Sequence, residues 1–413
     1  MKGREVQERL YLQGLAGRRP KVPVQPEALV EAARRKLRRE AWSYLMGGGG
    51  SERTVAANQA AFGRYALRPR MLGGAVPSLE VTVFGQRWSA PLLLSPIGVL
   101  ELAHPQAELA VARAAASRGV PLVFSNQASY PLEVSVEVME RVRPGAPRWF
   151  QLYPSTDFRV VQSLLRRAEA SGCRAVVLTV DTVQLGWRPR DLDLGYLPFL
   201  YGLGLAQYAS DPVFLATLEE EGESARPPWG WGLLRSLPGL WRLGRGSLRR
   251  GQKIVRRFLA TFSFPQLSWP EVRRIREATS LPLVLKGLMH PEDALSALEV
   301  GVSGIWVSNH GGRQVDGALS ALEALPGIAK EVGERVPVFM DGGVRTGADL
   351  VKALALGARA VGIGRLYALA LALAGAAGVE AILDYRMAEL ELTLALSGVT
   401  SLEGLGPHLI QPV

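Results

Sequence analysis

From Pro91 onward, short runs of apolar residues alternate with longer stretches in which apolar positions recur at helical spacing. The short runs cover 92–98, 122–127, 148–153, 175–181, 283–287, 304–310, 338–343 and 360–365. Helices are predicted between them at about 105–118, 132–142, 158–170, 291–300, 321–334 and 347–356. Strands that are apolar at nearly every position suit a sheet covered on both faces. Eight of them separated by helices imply a closed (β/α)8 TIM barrel more readily than an open sheet. Residues 371–397 read as one or two helices closing that barrel.

The rest of the chain departs from this rhythm in two places. Residues 1–90 read as an N-terminal helical extension, with a helix over 26–46 that Gly47-Gly48-Gly49-Gly50 stops and a small β excursion near 79–88. Residues 91–413 form the barrel, and 186–270 interrupt it after the fourth strand. That insertion carries Pro227-Pro228-Trp229-Gly230-Trp231, then Trp241 and a basic stretch with Arg242, Arg245, Arg249, Arg250, Lys253, Arg256 and Arg257. Long insertions of this kind act as lids or subunit contacts, while arginine interleaved with tryptophan over 226–257 also suits an anionic membrane surface or nucleic acid.

A length of 413 residues fits a single barrel with extensions. The excess of 48 basic over 38 acidic residues, a net +10, permits anionic partners without selecting one. A single cysteine, Cys173, excludes an intrachain disulfide and a thiolate metal cluster, and suits a reducing cytoplasm. None of the four histidines has metal-ligand spacing, so no metal is expected. Met1-Lys2-Gly3-Arg4 leads into charged sequence rather than a signal peptide. The most apolar run, 368–378, is shorter than the roughly 18 residues of a membrane span.

Barrel enzymes carry their chemistry at the C-terminal strand ends. Here those ends supply Gly98, Ser125, Gln151 with Tyr153, Thr179 with Asp181, Lys286, His310, Asp341 and Arg365. His310 can take a proton near neutral pH, and Arg313, three residues on, offers a fork of donors matched to a carboxylate. Asp341-Gly342-Gly343-Val344-Arg345 and Gly362-Ile363-Gly364-Arg365 end the last two strands. Glycine turns, helix N-termini and arginines there are expected to hold a phosphate. Lys286 is placed to stabilise an electron-rich ring, with Ser125, Gln151 and Thr179 on its polar edge. No Gly-x-Gly-x-x-Gly follows an early strand, which disfavours a nicotinamide dinucleotide.

Ser308-Asn309-His310-Gly311-Gly312-Arg313-Gln314, together with the two glycine turns, resembles the FMN-dependent α-hydroxy-acid oxidases and dehydrogenases over about residues 26–405. Leu185-Gly186-Trp187-Arg188-Pro189-Arg190-Asp191-Leu192 and Ser95-Pro96-Ile97-Gly98-Val99 look most like the lactate 2-monooxygenase branch. The resemblance implies FMN as cofactor, His310 as proton-abstracting base and Asp181 as its paired carboxylate. It implies Arg188 and Arg313 as the clamp on a substrate carboxylate, and Tyr44 and Tyr153 as further substrate contacts. Lys286, Ser308, Pro96, Ile97 and Gly98 match cofactor contacts, Gly98 standing where oxidases often have alanine. Oxidation of an L-2-hydroxy acid, L-lactate foremost, with O2 as acceptor is implied, with decarboxylation to acetate and CO2 if pyruvate and peroxide linger together. So is a homotetramer. The IMP dehydrogenases, another FMN barrel family, need a loop cysteine, and Cys173 lies before strand four instead. Two alternatives remain: a quinone-linked dehydrogenase resting on a membrane, and a nucleic-acid binder that would leave His310, Asp181 and Arg313 without a purpose.

Overall fold

The protein is described here by a computed structural model over residues 2–74, 78–219 and 231–413; Pro227, Pro228, Trp229 and Gly230 lie outside these. The apolar runs form strands β1 (Leu92–Leu94), β2 (Leu122–Ser125), β3 (Arg148–Leu152), β4 (Val176–Thr179), β5 (Leu283–Leu288), β6 (Gly304–Val307), β7 (Val338–Asp341) and β8 (Ala360–Ile363). Each pairs in parallel with its neighbour in sequence, and β8 closes on β1. Most strands end earlier than their apolar runs, because at the mouth the chain leaves the ladder. Asp181 and His310 therefore stand on loops just beyond β4 and β6.

Side chains alternate inward and outward along a strand, so residues two apart share a face. One inward layer is apolar: Leu93, Val123, Trp149, Val177, Val284, Trp306, Phe339 and Ala360 form a core inside the barrel. The hairpin of Val81–Val83 and Gln86–Trp88 closes it from below, with Trp88 and Phe339 each 5.3 Å from Trp149, both edge-on. Rings of this size each bury about 150–250 Å², on the order of 4–6 kcal/mol at about 25 cal/mol/Å² before entropy is counted. Two positions further along, the same face carries Ser95, Ser125, Gln151, Thr179, Lys286, Ser308, Asp341 and Gly362. The plugged end thus pays for a polar floor at the other end.

The predicted helix over 26–46 is two helices, Pro26–Lys36 and Arg39–Met46, because Leu37 and Arg38 are extended. The break lets the first pack on the C-terminal helix while the second turns over the barrel mouth and buries Tyr44. The closing helix, Arg365–Leu396, starts earlier than expected and is interrupted at Ala374 and Gly375, where Gly375 has φ 59°. It is long and apolar enough by length and composition to cross a membrane, contrary to the expectation above, but 67% of its apolar window is buried inside the fold. In the insertion, helices Trp231–Leu243 and Leu248–Thr261 pack together, and the second buries Ile254, Val255 and Phe258. Several of its cations are paired: Arg257 with Asp157 at 3.0 Å, Lys253 with Glu219 at 2.6 Å, and Arg242 with Glu101.

Candidate active site

The polar floor is partly satisfied and partly open. Lys286 Nζ donates to Ser308 Oγ at 2.8 Å and lies 3.6 Å from Asp341, while Ser308 Oγ donates to Asp341 Oδ1 at 2.6 Å. Ser125 Oγ donates to Gln151 Oε1 at 2.9 Å. Gln151 Nε2, Thr179 Oγ1 and Ser95 Oγ are buried and have no hydrogen-bond partner among the described residues. A buried polar group left unpaired costs about 1–3 kcal/mol, so Ser95 and Thr179, which line one cleft, with Gln151 on the same barrel layer, mark where a polar ligand edge would bond. Above them opens this cleft of about 1270 Å³, counted with the solvent space at its mouth, lined among others by Pro96, Ile97, Gly98, Thr179, Lys286 and Asp341.

His310, Arg188, Arg313, Tyr44 and Tyr153 also line this cleft. His310 has φ 58°, an uncommon conformation for a residue with a side chain, and its N–H donates to Ser308 Oγ at 3.1 Å. Its Nδ1 lies 2.8 Å from Asp181 Oδ1. A carboxylate only accepts, so Nδ1 carries the proton and Nε2 keeps its lone pair. Burial holds the imidazole below the ordinary histidine range, against the opposing pull of Asp181, so the ring is neutral at neutral pH. Burial works to raise the Asp181 carboxyl, but His310, Lys286 and the Thr182 hydroxyl outweigh it and hold it below its ordinary value. Tyr153 Oη lies 3.4 Å from His310 Nε2.

The two arginines lie side by side. Arg188 Nε donates to the Arg313 carbonyl at 3.2 Å, and the Arg313 guanidinium sits 5.2 Å from the Tyr44 ring centre. Neither has an ion-pair partner among the described residues. Burial and the neighbouring Arg188 push Arg313 down to about 10, which still leaves it charged at neutral pH. Asp191 is close enough to act on both but pairs with neither, and buried cations without a paired carboxylate favour an incoming anion.

Gly342, Gly343, Arg345, Gly364 and Arg365 line the same cleft, and Arg365 reaches the substrate arginines: its Nη2 and Arg313 Nη1 donate to the same Gly47 carbonyl at 3.0 and 2.7 Å. Burial lowers Arg345, and burial with Arg313 and Arg345 pushes Arg365 down to about 9. The helix starting at Arg365 has no side-chain cap; the Tyr367 N–H donates to the Gly364 carbonyl at 3.0 Å, and the N–H groups of Arg365 and Leu366 are those offered to an anion. The expectation needs amending in three respects. The other helix, Gly347–Ala355, is already capped by the Thr346 and Asp349 side chains. Arg365 donates to the carbonyls of Leu45, Gly311 and Gly47 at 3.2, 2.8 and 3.0 Å, so it also closes the C-terminal end of helix Arg39–Met46. Gly343 makes room for the N-terminal extension rather than for a ligand: a Cβ on it would lie 1.9 Å from the Asn58 carbonyl oxygen.

A buried cation beside unpaired polar atoms, with glycine turns and arginines lining the same cleft, fits a flavin mononucleotide. The family profile described as FMN-dependent dehydrogenase matches residues 33–412. The chain belongs to that family. It is 38% identical to an L-lactate oxidase of Lysinibacillus sphaericus over 96% of this chain and 94% of that one. An L-lactate dehydrogenase of Caulobacter vibrioides is 40% identical over 92% and 95% of the two chains. A mandelate oxidase solved with (S)-4-hydroxymandelic acid has a TM-score of 0.77 at 35% identity, covering 94% of this chain and 98% of its own. This FMN-dependent dehydrogenase therefore oxidises α-hydroxy acids, and FMN is its cofactor.

Sequence reasoning missed several residues of this dehydrogenase's site. Thr182 Oγ1 donates to Asp181 Oδ1 at 2.8 Å and lies 3.1 Å from His310 Nδ1. Asn58, in the extension, exchanges two hydrogen bonds with Asn309 at 2.8 and 2.9 Å and so braces the turn bearing His310. Leu185, Phe199 and Phe262 give the cleft an apolar wall, with Phe262 stacked on Phe258 at 4.8 Å. Thr182 adjoins Asp181 and could have been found by position; the others come from segments that only folding brings together.

Proposed function

We propose that the protein oxidises an L-2-hydroxy acid to its 2-oxo acid with O2 as the final electron acceptor. The supporting observation is the neutral His310, backed by Asp181, beside two arginines without ion-pair partners among the described residues. Arg188 and Arg313 bind and orient the substrate carboxylate, with Tyr44 and Tyr153 completing its polar shell. His310 Nε2 takes the substrate proton, and Asp181 stabilises the imidazolium that results. Bound FMN supplies the two-electron acceptor. Lys286 and Ser308 would hold its ring, and Arg345 and Arg365 its phosphate. Leu185, Phe199 and Phe262 bound an apolar side chain. Lactate is the first substrate to test and mandelate the second, given the relatives named for each.

The test is anaerobic mixing of the yellow protein with L-lactate, D-lactate and (S)-mandelate. Bleaching by an L-acid is expected, and no bleaching by any 2-hydroxy acid refutes the proposal. Aerobic products then divide the outcomes: pyruvate with peroxide marks an oxidase, acetate with CO2 a decarboxylating monooxygenase. We carry the homotetramer and the cytoplasmic location as proposals too, checked by light scattering and by fractionation.

One observation favours a second acceptor. Leu234 and Trp241 are 55% and 56% exposed on one insertion helix, with Arg245, Arg249, Arg250 and Arg256 exposed nearby. Such a surface suits an anionic bilayer and hence a quinone acceptor. Salt-sensitive pelleting with anionic liposomes, together with dye reduction faster than O2 uptake, would select it.

A further inference from the structure

We propose that Gln314 is a positioning residue that ties the loop bearing Asp181 and Arg188 to the loop bearing His310 and Arg313. In doing so it sets the distance between the base and the carboxylate clamp, an inference that rests on the reaction proposed above. Its side chain spends its whole hydrogen-bonding capacity on residues 181–188. Nε2 donates to the carbonyls of Asp181 and Gln184 at 2.9 and 2.8 Å. Oε1 accepts from Arg188 Nη2 at 2.9 Å and from the Gly186 N–H at 3.2 Å. A primary amide has two donors and two acceptor lone pairs, so nothing is left over.

The loop it holds is irregular between the end of β4 and helix Pro189–Asp193. Its conformation therefore depends on such tethers rather than on a ladder of its own. The two loops are in close contact, since a Cβ on Gly186 would lie 2.6 Å from the Arg313 carbonyl. Further anchors remain without Gln314: Gly50 donates to the Trp187 carbonyl at 2.9 Å and Phe264 to that of Val183 at 3.0 Å. Truncating Gln314 should therefore loosen the site without unfolding the chain. Glutamate there would keep acceptors for Arg188 and Gly186 but face two carbonyls with a carboxylate, and its charge would compete with the substrate for Arg188.

The experiment uses the full FMN-loaded protein with Gln314→Ala and Gln314→Glu. It measures kcat and KM for L-lactate, the Kd of pyruvate from the visible flavin spectrum, and the thermal midpoint. In Gln314→Ala, kcat is expected to fall and both KM and the pyruvate Kd to rise, each by about tenfold or more, as for losing hydrogen bonds to a charged group and a loop. Gln314→Glu should raise the pyruvate Kd further. It should also move the acid limb of kcat/KM upward in pH, because the added carboxylate favours protonated His310. A Gln314→Ala enzyme within about twofold of the parent in kcat, KM and Kd overturns the proposal, whatever its thermal midpoint. If Gln314→Ala does not fold, an unchanged pyruvate Kd in Gln314→Glu overturns it instead. A parent that neither bleaches nor binds pyruvate overturns the reaction itself, and this inference with it. A parent that binds pyruvate without bleaching leaves Kd to decide the loop tie alone.

Discussion

Replacing Asp181 with asparagine removes a charge and keeps the shape. In the parent, Asp181 Oδ1 lies 2.8 Å from His310 Nδ1, and both side chains are largely shielded from water. Once Nε2 has taken the substrate proton, opposite charges face each other across roughly 4 Å, worth about 4 kcal/mol at an effective dielectric near 20. Asparagine Oδ1 can accept the same hydrogen bond and retain about 1 kcal/mol of that. The remaining loss, about 3 kcal/mol, corresponds to roughly a hundredfold in kcat/KM. Asp181 raises the His310 pKa against the larger lowering by burial, so in Asp181→Asn burial acts with less opposition. The acid limb of kcat/KM should therefore move to lower pH even as the rate falls. Anaerobic stopped-flow reduction of the bound flavin between pH 5 and 9 measures both without involving the final acceptor. A loss below about fivefold, or an acid limb displaced to higher pH, would refute the assignment of Asp181 as the partner of a charged His310.

Arg188→Lys and Arg313→Lys should each lower kcat/KM for L-lactate by about 10–100-fold, because lysine cannot make the paired bonds of a guanidinium; steady-state kinetics checks this. Lys286→Met leaves Asp341 buried without its cation, 3.6 Å away in the parent, and should destabilise the fold by about 3–5 kcal/mol and lower the flavin midpoint potential, read by urea unfolding and by redox titration. In Gly98→Ala the new Cβ would lie 3.0 Å from the Gln127 Cβ and carbonyl oxygen, so a modest stability loss of about 1–3 kcal/mol is expected, together with altered peroxide yield. The His310 pKa is lowered in the fold whereas the unfolded value is about 6.5, so below that pH the unfolded chain binds the extra proton. The His310 contribution to stability is thus present above about pH 6.5 and declines as pH falls toward the folded pKa; the difference in thermal midpoint between the parent and His310→Gln across pH 5–7 reports its sign.

Much of this site could be read directly from residue order. The alternation of buried strands and helices specifies a barrel because the period of a strand and the period of a helix are local properties of the backbone. His310 and Arg313 share one short turn, and Asp181 follows, and Lys286 lies on, strands that are neighbours in a closed parallel sheet. Once the barrel is accepted, their convergence needs no further information.

What periodicity cannot report is which distant segments approach each other. The 26–46 stretch has helical spacing throughout, yet the chain breaks at Leu37 and Arg38 because its halves pack on different partners. Arg365 looked reserved for an anion, but three of its donors meet the carbonyls of Leu45, Gly47 and Gly311. The Leu45 and Gly47 carbonyls are available to it only because a helix ends more than 300 residues earlier in the chain. Gln314 stood in the motif without a role until folding brought residues 181–188 against it. Residue order alone determined the barrel and the chemical types at its mouth, since both follow from local backbone geometry. Tertiary contact decided which of those groups are spent on holding the mouth together and which are left with unmet charge and hydrogen bonds to meet a ligand.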